Sequence, residues 1–199
     1  MLSQMAGRLY AQGTFESAVQ AMLDDVVALH GAEFGDIQLP IGDELVLVAQ
    51  RNLPRRFLQT FRRVSKDDAC VCGRALRSKD SIIVPDVELD ELFAPFRMEA
   101  RTTGFRSVQS TPMFTGDSRF IGMVSTLFAN PHAPSPIEMA TLKSYVGMAS
   151  HHLIELLGTG SLEEKARQMN VSLYAPSARS RGSETPQGRV NEVVPYSKR

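Results

Sequence analysis

The chain has 199 residues, 43% of them apolar, and 22 Lys and Arg balance 22 Asp and Glu. That length suits one domain of about 150 residues plus an extension, and such a domain buries a core without metal or disulfide support. Zero net charge argues against nucleic acid or an anionic membrane as partner, no apolar run reaches membrane-spanning or signal-peptide length, and Cys70 and Cys72, one residue apart, cannot staple a fold, so a soluble cytoplasmic protein is expected.

Residues 1–13 read as an N-terminal extension. Phe15, Val19, Met22, Val26 and Leu29 then recur at steps of four and three, which predicts a helix over Phe15–His30. Thr14 is its N-cap and Gly31 supplies the left-handed residue after it. The same stripe suits either a helix lying on its own sheet or a helix–helix seam. Phe34–Leu39 and Leu45–Gln50 are apolar and rich in strand formers, and the turn residues between them make a hairpin. Pro54 opens a short helix through Phe61. Asp67 or Asp68 caps another that ends at Arg77.

Ser81–Val84 is a short strand stopped by Pro85. Between Asp86 and Gly104 one or two short helices are expected, broken near Pro95. Arg106–Phe114 and Arg119–Ala129 are the strongest strands, joined by T-G-D-S-R, a sequence of turn formers. Pro112 cannot donate to a ladder and belongs at an edge or bulge. Ser135, Pro136 and Glu138 form a capping box with the favoured proline, opening a helix to about Leu157. A short helix from Ser161 through Met169 follows. The Pro-, Ser- and Gly-rich stretch beyond Leu173 is expected to be disordered.

Short turns between paired strands imply an antiparallel sheet. The fold class is therefore α+β, with the first and last helices on one face of the sheet and short helices on the other.

Four segments carry a family likeness. They are C-G-R-A-L-R (Cys72–Arg77), I-I-V-P-D-V (Ile82–Val87), G-F-R-S-V-Q-S-T-P-M (Gly104–Met113) and I-G-M-V-S-T-L-F (Ile121–Phe128). In this order they resemble a GAF domain, over about Thr14 to Leu157. Gly31–Leu39, Val48–Arg51 and Phe105–Pro112 look like GAF domains of bacterial sensor histidine kinases. The resemblance implies a ligand pocket between the sheet and the middle helices, and terminal helices that pair with a second subunit.

It implies a stand-alone sensory module of a two-component system. Such a module binds a small molecule or senses redox state, forms a homodimer, and signals in trans to a histidine kinase or another signalling protein. The residues after Leu157 hold neither a phospho-acceptor histidine helix nor a glycine-rich ATP-binding motif, so the chain is not itself a kinase. No cofactor is named by the sequence.

Cys72, Phe93, Phe96, Gln109 and Thr111 are the candidate ligand-binding residues. Strand alternation puts Ser107, Gln109 and Thr111 on one face, and that face is expected to line the cavity. Phe93, Phe96 and Met98 are large enough to fill it, which would leave a structural dimerisation module without a ligand. Cys70 and Cys72 are redox candidates, since a helix N-terminus and nearby Arg74 favour a thiolate; the alternative is a pair of packed buried thiols.

Cys72-Gly73 and Val84–Val87 are also similar to free methionine-R-sulfoxide reductases. Those enzymes carry a further cysteine after V-P-D, where this chain has none. Neither cysteine has the neighbouring histidine of a bilin site, and the N-K-x-x-x-F pattern of cyclic-nucleotide GAF domains is missing. His30, His132, His151 and His152 show no metal-ligand spacing, and His151 and His152 point to different helix faces. Asp86, Glu88, Asp90 and Glu91 crowd one loop and read as solvated caps rather than a cation site.

Overall fold

A computed structural model of the protein describes residues 1–175. Its frame is one antiparallel sheet built on two hairpins. β1 (Phe34–Ile41) and β2 (Glu44–Arg51) turn at Gly42 and Asp43. β5 (Ser107–Phe114) and β6 (Phe120–Phe128) turn through the loop 115–119. The hairpins meet at the β1–β6 pair, where Asp36 lies opposite Ser125. The short strands β3 (Arg63–Ser65) and β4 (Ile82–Val84) complete the order β3-β2-β1-β6-β5-β4. Pro112 lies past the last β4–β5 pair, where the outer side of β5 has no partner strand, so its missing N–H breaks no ladder.

Among the described residues seven α-helices cover the sheet: α1 (Leu2–Tyr10), α2 (Phe15–His30), α3 (Arg55–Thr60), α4 (Val71–Ser78), α5 (Arg97–Thr103), α6 (Pro136–Leu157) and α7 (Leu162–Tyr174). A single 3-10 turn, Ala94–Phe96, leads into α5. The caps sit where local chemistry demands. Ser17 N donates to Thr14 Oγ1 at 3.2 Å, Gly31 adopts φ 62°, and Ser135 and Glu138 form the complete capping box.

Strand alternation divides the core. On one face Ile37, Leu39, Val46 and Val124 pack against α1, α2 and α6. On the other Leu45, Leu47, Val108, Met123 and Leu127 pack against α3, α4 and α5. This is the expected α+β arrangement, terminal helices on one side and short helices on the other.

Four features depart from the sequence reading. Residues 2–10 are helical, with Met5 and Leu9 buried one turn apart on α2 and α6. β3 was not anticipated. Helix α4 is capped at Cys70 rather than at Asp67 or Asp68, because the Asp68 carboxylate accepts the Ser65 N–H at 2.7 Å instead. And α7 runs five residues past Met169, taking Leu173 and Tyr174 into a helix; the rest of the expected disordered tail lies outside the described residues.

The extra length of α7 has a tertiary cause. β3 covers β2 only at Glu44–Val46, so the outer side of β2 beyond Val46 has no partner strand. Along this open edge Asn170 Nδ2 donates to the Leu47 carbonyl at 2.7 Å, and Tyr174 Oη donates to the Leu58 carbonyl at 2.5 Å. The Arg62 guanidinium stacks 4.5 Å over the Tyr174 ring. A helix thus occupies the position where a bare strand edge would invite pairing with another chain.

Candidate functional site

Between the sheet and the short helices lies a small cavity of about 20 Å³, room for roughly one water. Its floor is Asp36 and Gln38 on β1, Val108 on β5, and Ser125 and Leu127 on β6. Its roof is Phe57 and Phe61, the start of α4 (Cys70, Val71 and Cys72), Phe93 and Phe105. Phe57 meets Phe61 at 4.6 Å and Phe105 at 6.1 Å between ring centres, and Phe93 also meets Phe105 at 6.1 Å.

Gly73 explains how α4 comes so close. A Cβ there would lie 2.5 Å from the Asp68 carbonyl oxygen and 2.7 Å from that of Ser65. Only glycine lets the first turn of α4 press onto the preceding loop and bring Cys72 over the sheet.

The polar groups of this cavity fall into two sets. Cys72 Sγ lies 3.3 Å from Ser110 Oγ and 3.4 Å from Ser125 Oγ, and the two hydroxyls are 2.9 Å apart. Each of the three has one hydrogen to give and room to accept, so the ring satisfies itself. The second set is unsatisfied. Asp36, 1% exposed, accepts no hydrogen bond from any described protein group, and Gln38 Oε1 is likewise buried and bare. Burial pushes the Asp36 carboxyl up to about 7.

Burial also pushes the Cys70 thiol up to about 11 and the Cys72 thiol well above its usual value, and the nearby Asp36 charge adds to both. Arg74, expected to favour a thiolate, instead grips Asp90 through bonds of 3.0 and 2.9 Å. The environment is that of inert, packed thiols rather than of reactive ones.

Two ties hold the roof. Glu99 on α5, almost fully buried, accepts from Arg56 Nε (3.0 Å) and Thr60 Oγ1 (3.3 Å), both on α3. Phe96 packs against Phe61 and Phe93 at 5.4 and 5.6 Å. Phe96 therefore backs the wall formed by Phe93, while Met98 is 60% exposed and fills nothing.

Gln109 and Thr111 do not join Cys72 and Phe93. The alternation along β5 is as expected, but the faces are exchanged: Met113, in step with them, packs with α2 and α6, whereas Val108 packs with the short helices. Gln109 Nε2 donates to Thr111 Oγ1 at 3.2 Å. Thr111 borders a separate cleft of about 270 Å³ beside α6, with Lys79 and Lys143 at its rim. It is Ser110, their neighbour, that faces the short helices, bonded to Cys72 and Ser125 behind the cavity wall.

The acidic loop is tied down rather than solvated. Asp86 pairs with Arg106, Glu88 with Arg101 and Asp90 with Arg74; Asp86 also accepts the Glu88 N–H at 3.0 Å, a local turn rather than a helix cap. His151 is exposed, and His152 is buried edge-on to Tyr10 at 4.7 Å. Among the described residues no group of three or more His, Cys, Asp and Glu is placed to hold a metal, and no helix is long and apolar enough to cross a membrane.

Sequence reasoning missed Asp36 and Gln38. A signal was present: aspartate is depleted in strands, yet Asp36 stands between glycine and isoleucine in the middle of an apolar run.

The chain matches the family described as GAF domain over residues 12–153. No curated protein matches it. Among solved structures it is similar to the GAF domain from an Acinetobacter phosphoenolpyruvate-protein phosphotransferase (13% identity, TM-score 0.64), covering 78% of this chain and 91% of that one. It is also similar to a phycocyanobilin-bound GAF domain from a cyanobacterial phytochrome (17% identity, TM-score 0.61, 79% and 96% covered). A third likeness is to free methionine-R-sulfoxide reductase from Neisseria meningitidis in complex with its substrate (19% identity, TM-score 0.57, 84% and 88% covered). At these identities the likeness is one of fold.

Proposed function

The chain belongs to the GAF domain family, and from that premise we propose that it is a sensory module whose ligand is a small molecule held between the sheet and helices α3 to α5. One observation carries the reading: a carboxyl and an amide oxygen, Asp36 and Gln38, are buried without partners in a cavity whose other polar groups, Cys72 and Ser125, satisfy one another. A buried polar group without a partner costs about 1–3 kcal/mol, and such groups collect where a ligand supplies the missing bond.

The cavity is small as it stands, so binding opens the roof. The Arg56–Glu99 tie and the Phe61–Phe96 contact are what give way. The same strands carry the change across the sheet: Asp36 faces the cavity while Ile37 faces α2 and α6, and Ser125 and Val124 are placed likewise. The output surface in this reading is the layer of α1, α2 and α6, through which the module pairs with a second copy and addresses a kinase or another signalling protein.

Thiol-dependent methionine-R-sulfoxide reduction fits the site less well. Both thiols are pushed up by burial, and Cys72 is engaged with two serines. Redox sensing through Cys70 or Cys72 meets the same objection.

Native mass spectrometry on protein purified without denaturation and exposed to a small-molecule extract tests the proposal. A dimer carrying a discrete extra mass is the expected result. A monomer at the bare polypeptide mass under all conditions overturns it.

A further inference from the structure

Resting on the pocket reading above, we propose that the ligand of this cavity is a compact organic cation, an ammonium or amidinium group on an apolar body, with the Asp36 carboxylate as its counter-ion and Gln38 Oε1 as its second acceptor.

The first ground is donor and acceptor balance. The hydroxyls of Ser110 and Ser125 and the Cys72 thiol are used up on one another at 2.9 to 3.4 Å. Left without partners are two acceptors, Asp36 Oδ1 and Gln38 Oε1, while the Gln38 amide brings two N–H donors of its own. An anion would set its charge against the Asp36 carboxylate there. A ligand that fits has to donate, and ammonium and amidinium groups donate without accepting.

The second ground is charge. No Lys, Arg or His lines the cavity, so a carboxylate in it has no counter-ion of its own, and a buried charge without one is strongly penalised. The charged and titratable groups packed around Asp36 offer no substitute. Cys70 and Cys72 from α4 stay protonated at neutral pH. So does Tyr174 from α7, whose phenol is likewise raised by burial. Asp68, ahead of α4, is a like charge tied to Ser65, and Arg62 is held outside over the Tyr174 ring. A bound cation supplies what this set lacks, and phenylalanine rings accommodate its apolar body and attract its charge.

The remaining consequence is a pH dependence with a defined sign. Between pH 5 and 9 Asp36 is the group in the cavity that changes charge, with its midpoint at about 7. A cation requires the ionised form, so affinity rises with pH up to that midpoint and levels off above it.

The test uses the full chain and five probes: methylammonium, benzylammonium and benzamidinium, with benzyl alcohol and benzoate as the neutral and anionic relatives. Methyl NMR signals of Val108 and Leu127, which line the cavity, report occupancy, with Asp36→Asn as the control. At least one cation is expected to bind more than tenfold tighter than benzyl alcohol and benzoate at pH 8. That binding should weaken about tenfold at pH 6, and be lost in Asp36→Asn. Benzyl alcohol or benzoate binding as tightly, or cation binding indifferent to Asp36→Asn, overturns the cation assignment and leaves the pocket reading standing. Silence of those signals to all five probes overturns both, and assigns Asp36 to a trapped water.

Discussion

Two buried aspartates on opposite faces of one sheet show how differently the same residue can be used. Asp25 on α2 is 3% exposed, and Asp36 on β1 is 1% exposed. Asp25 is fully served: Arg8 donates to Oδ1 through Nε at 3.1 Å and through a second nitrogen, and Tyr145 donates to Oδ2 at 2.6 Å. Those bonds pin α1 and α6 to α2. Asp36 receives nothing from any described protein group. A satisfied buried carboxylate specifies how helices pack; an unsatisfied one is a cost retained for another purpose. The terminal-helix face is built to hold, and the short-helix face is built to accept.

The sharpest way to break this contrast is to remove each carboxyl in turn. Asp36→Asn is expected to stabilise the protein at pH 8 by up to about 4 kcal/mol, the linkage value of a carboxyl raised from 3.8 to about 7. The folded state holds this proton more tightly than the unfolded chain, so wild-type stability from Asp36 is greatest below pH 4 and lost as pH rises toward about 7. Urea unfolding of both proteins should show the gap closing between pH 8 and 4; a variant weaker than wild type at pH 8 breaks the comparison.

Asp25→Ala should have the opposite sign, a loss of about 2–3 kcal/mol in the same assay. It strands the buried Tyr145 hydroxyl, while the half-exposed Arg8 recovers solvation and contributes little. Gly73→Ala tests the roof instead, since its new Cβ would press on two carbonyl oxygens. A loss of about 2 kcal/mol is expected, together with shifted methyl signals from Val108 and Leu127 and unchanged ones from Val46. The smallest effect sharpens the role of the edge: Asn170→Ala frees the Leu47 carbonyl and should cost about 1 kcal/mol. Its amide-exchange signature is faster exchange along α7 with α2 and α6 unaffected.

The legibility of the fold was uneven for reasons visible in particular residues. The α2 and α6 helices announced themselves through Thr14, Gly31, Ser135 and Glu138 because a cap is made by residues within four positions of each other. The two hairpins were legible for the same reason. Helix α1 has only two buried anchors, Met5 and Leu9, and no side-chain cap to announce it, and packing on α2 and α6 supplies the rest. The candidate site was half legible. Cys72 and Phe93 line the cavity, whereas Gln109 and Thr111 belong to the other side.

By itself, then, the sequence determined the local elements other than α1, β3 and the end of α7, the antiparallel pairing of neighbouring strands, and the α+β class, all of which depend on short-range periodicity and turn chemistry. Only the tertiary structure decided which face of β5 looks at the cavity, that Asp36 lies buried without a partner, that Cys72 is engaged with Ser110 and Ser125, and that α7 closes the open edge of β2. Alternation along a strand defines two faces but does not label them. The label comes from helices elsewhere in the chain, and so do the burial and the charges that give those faces their chemistry.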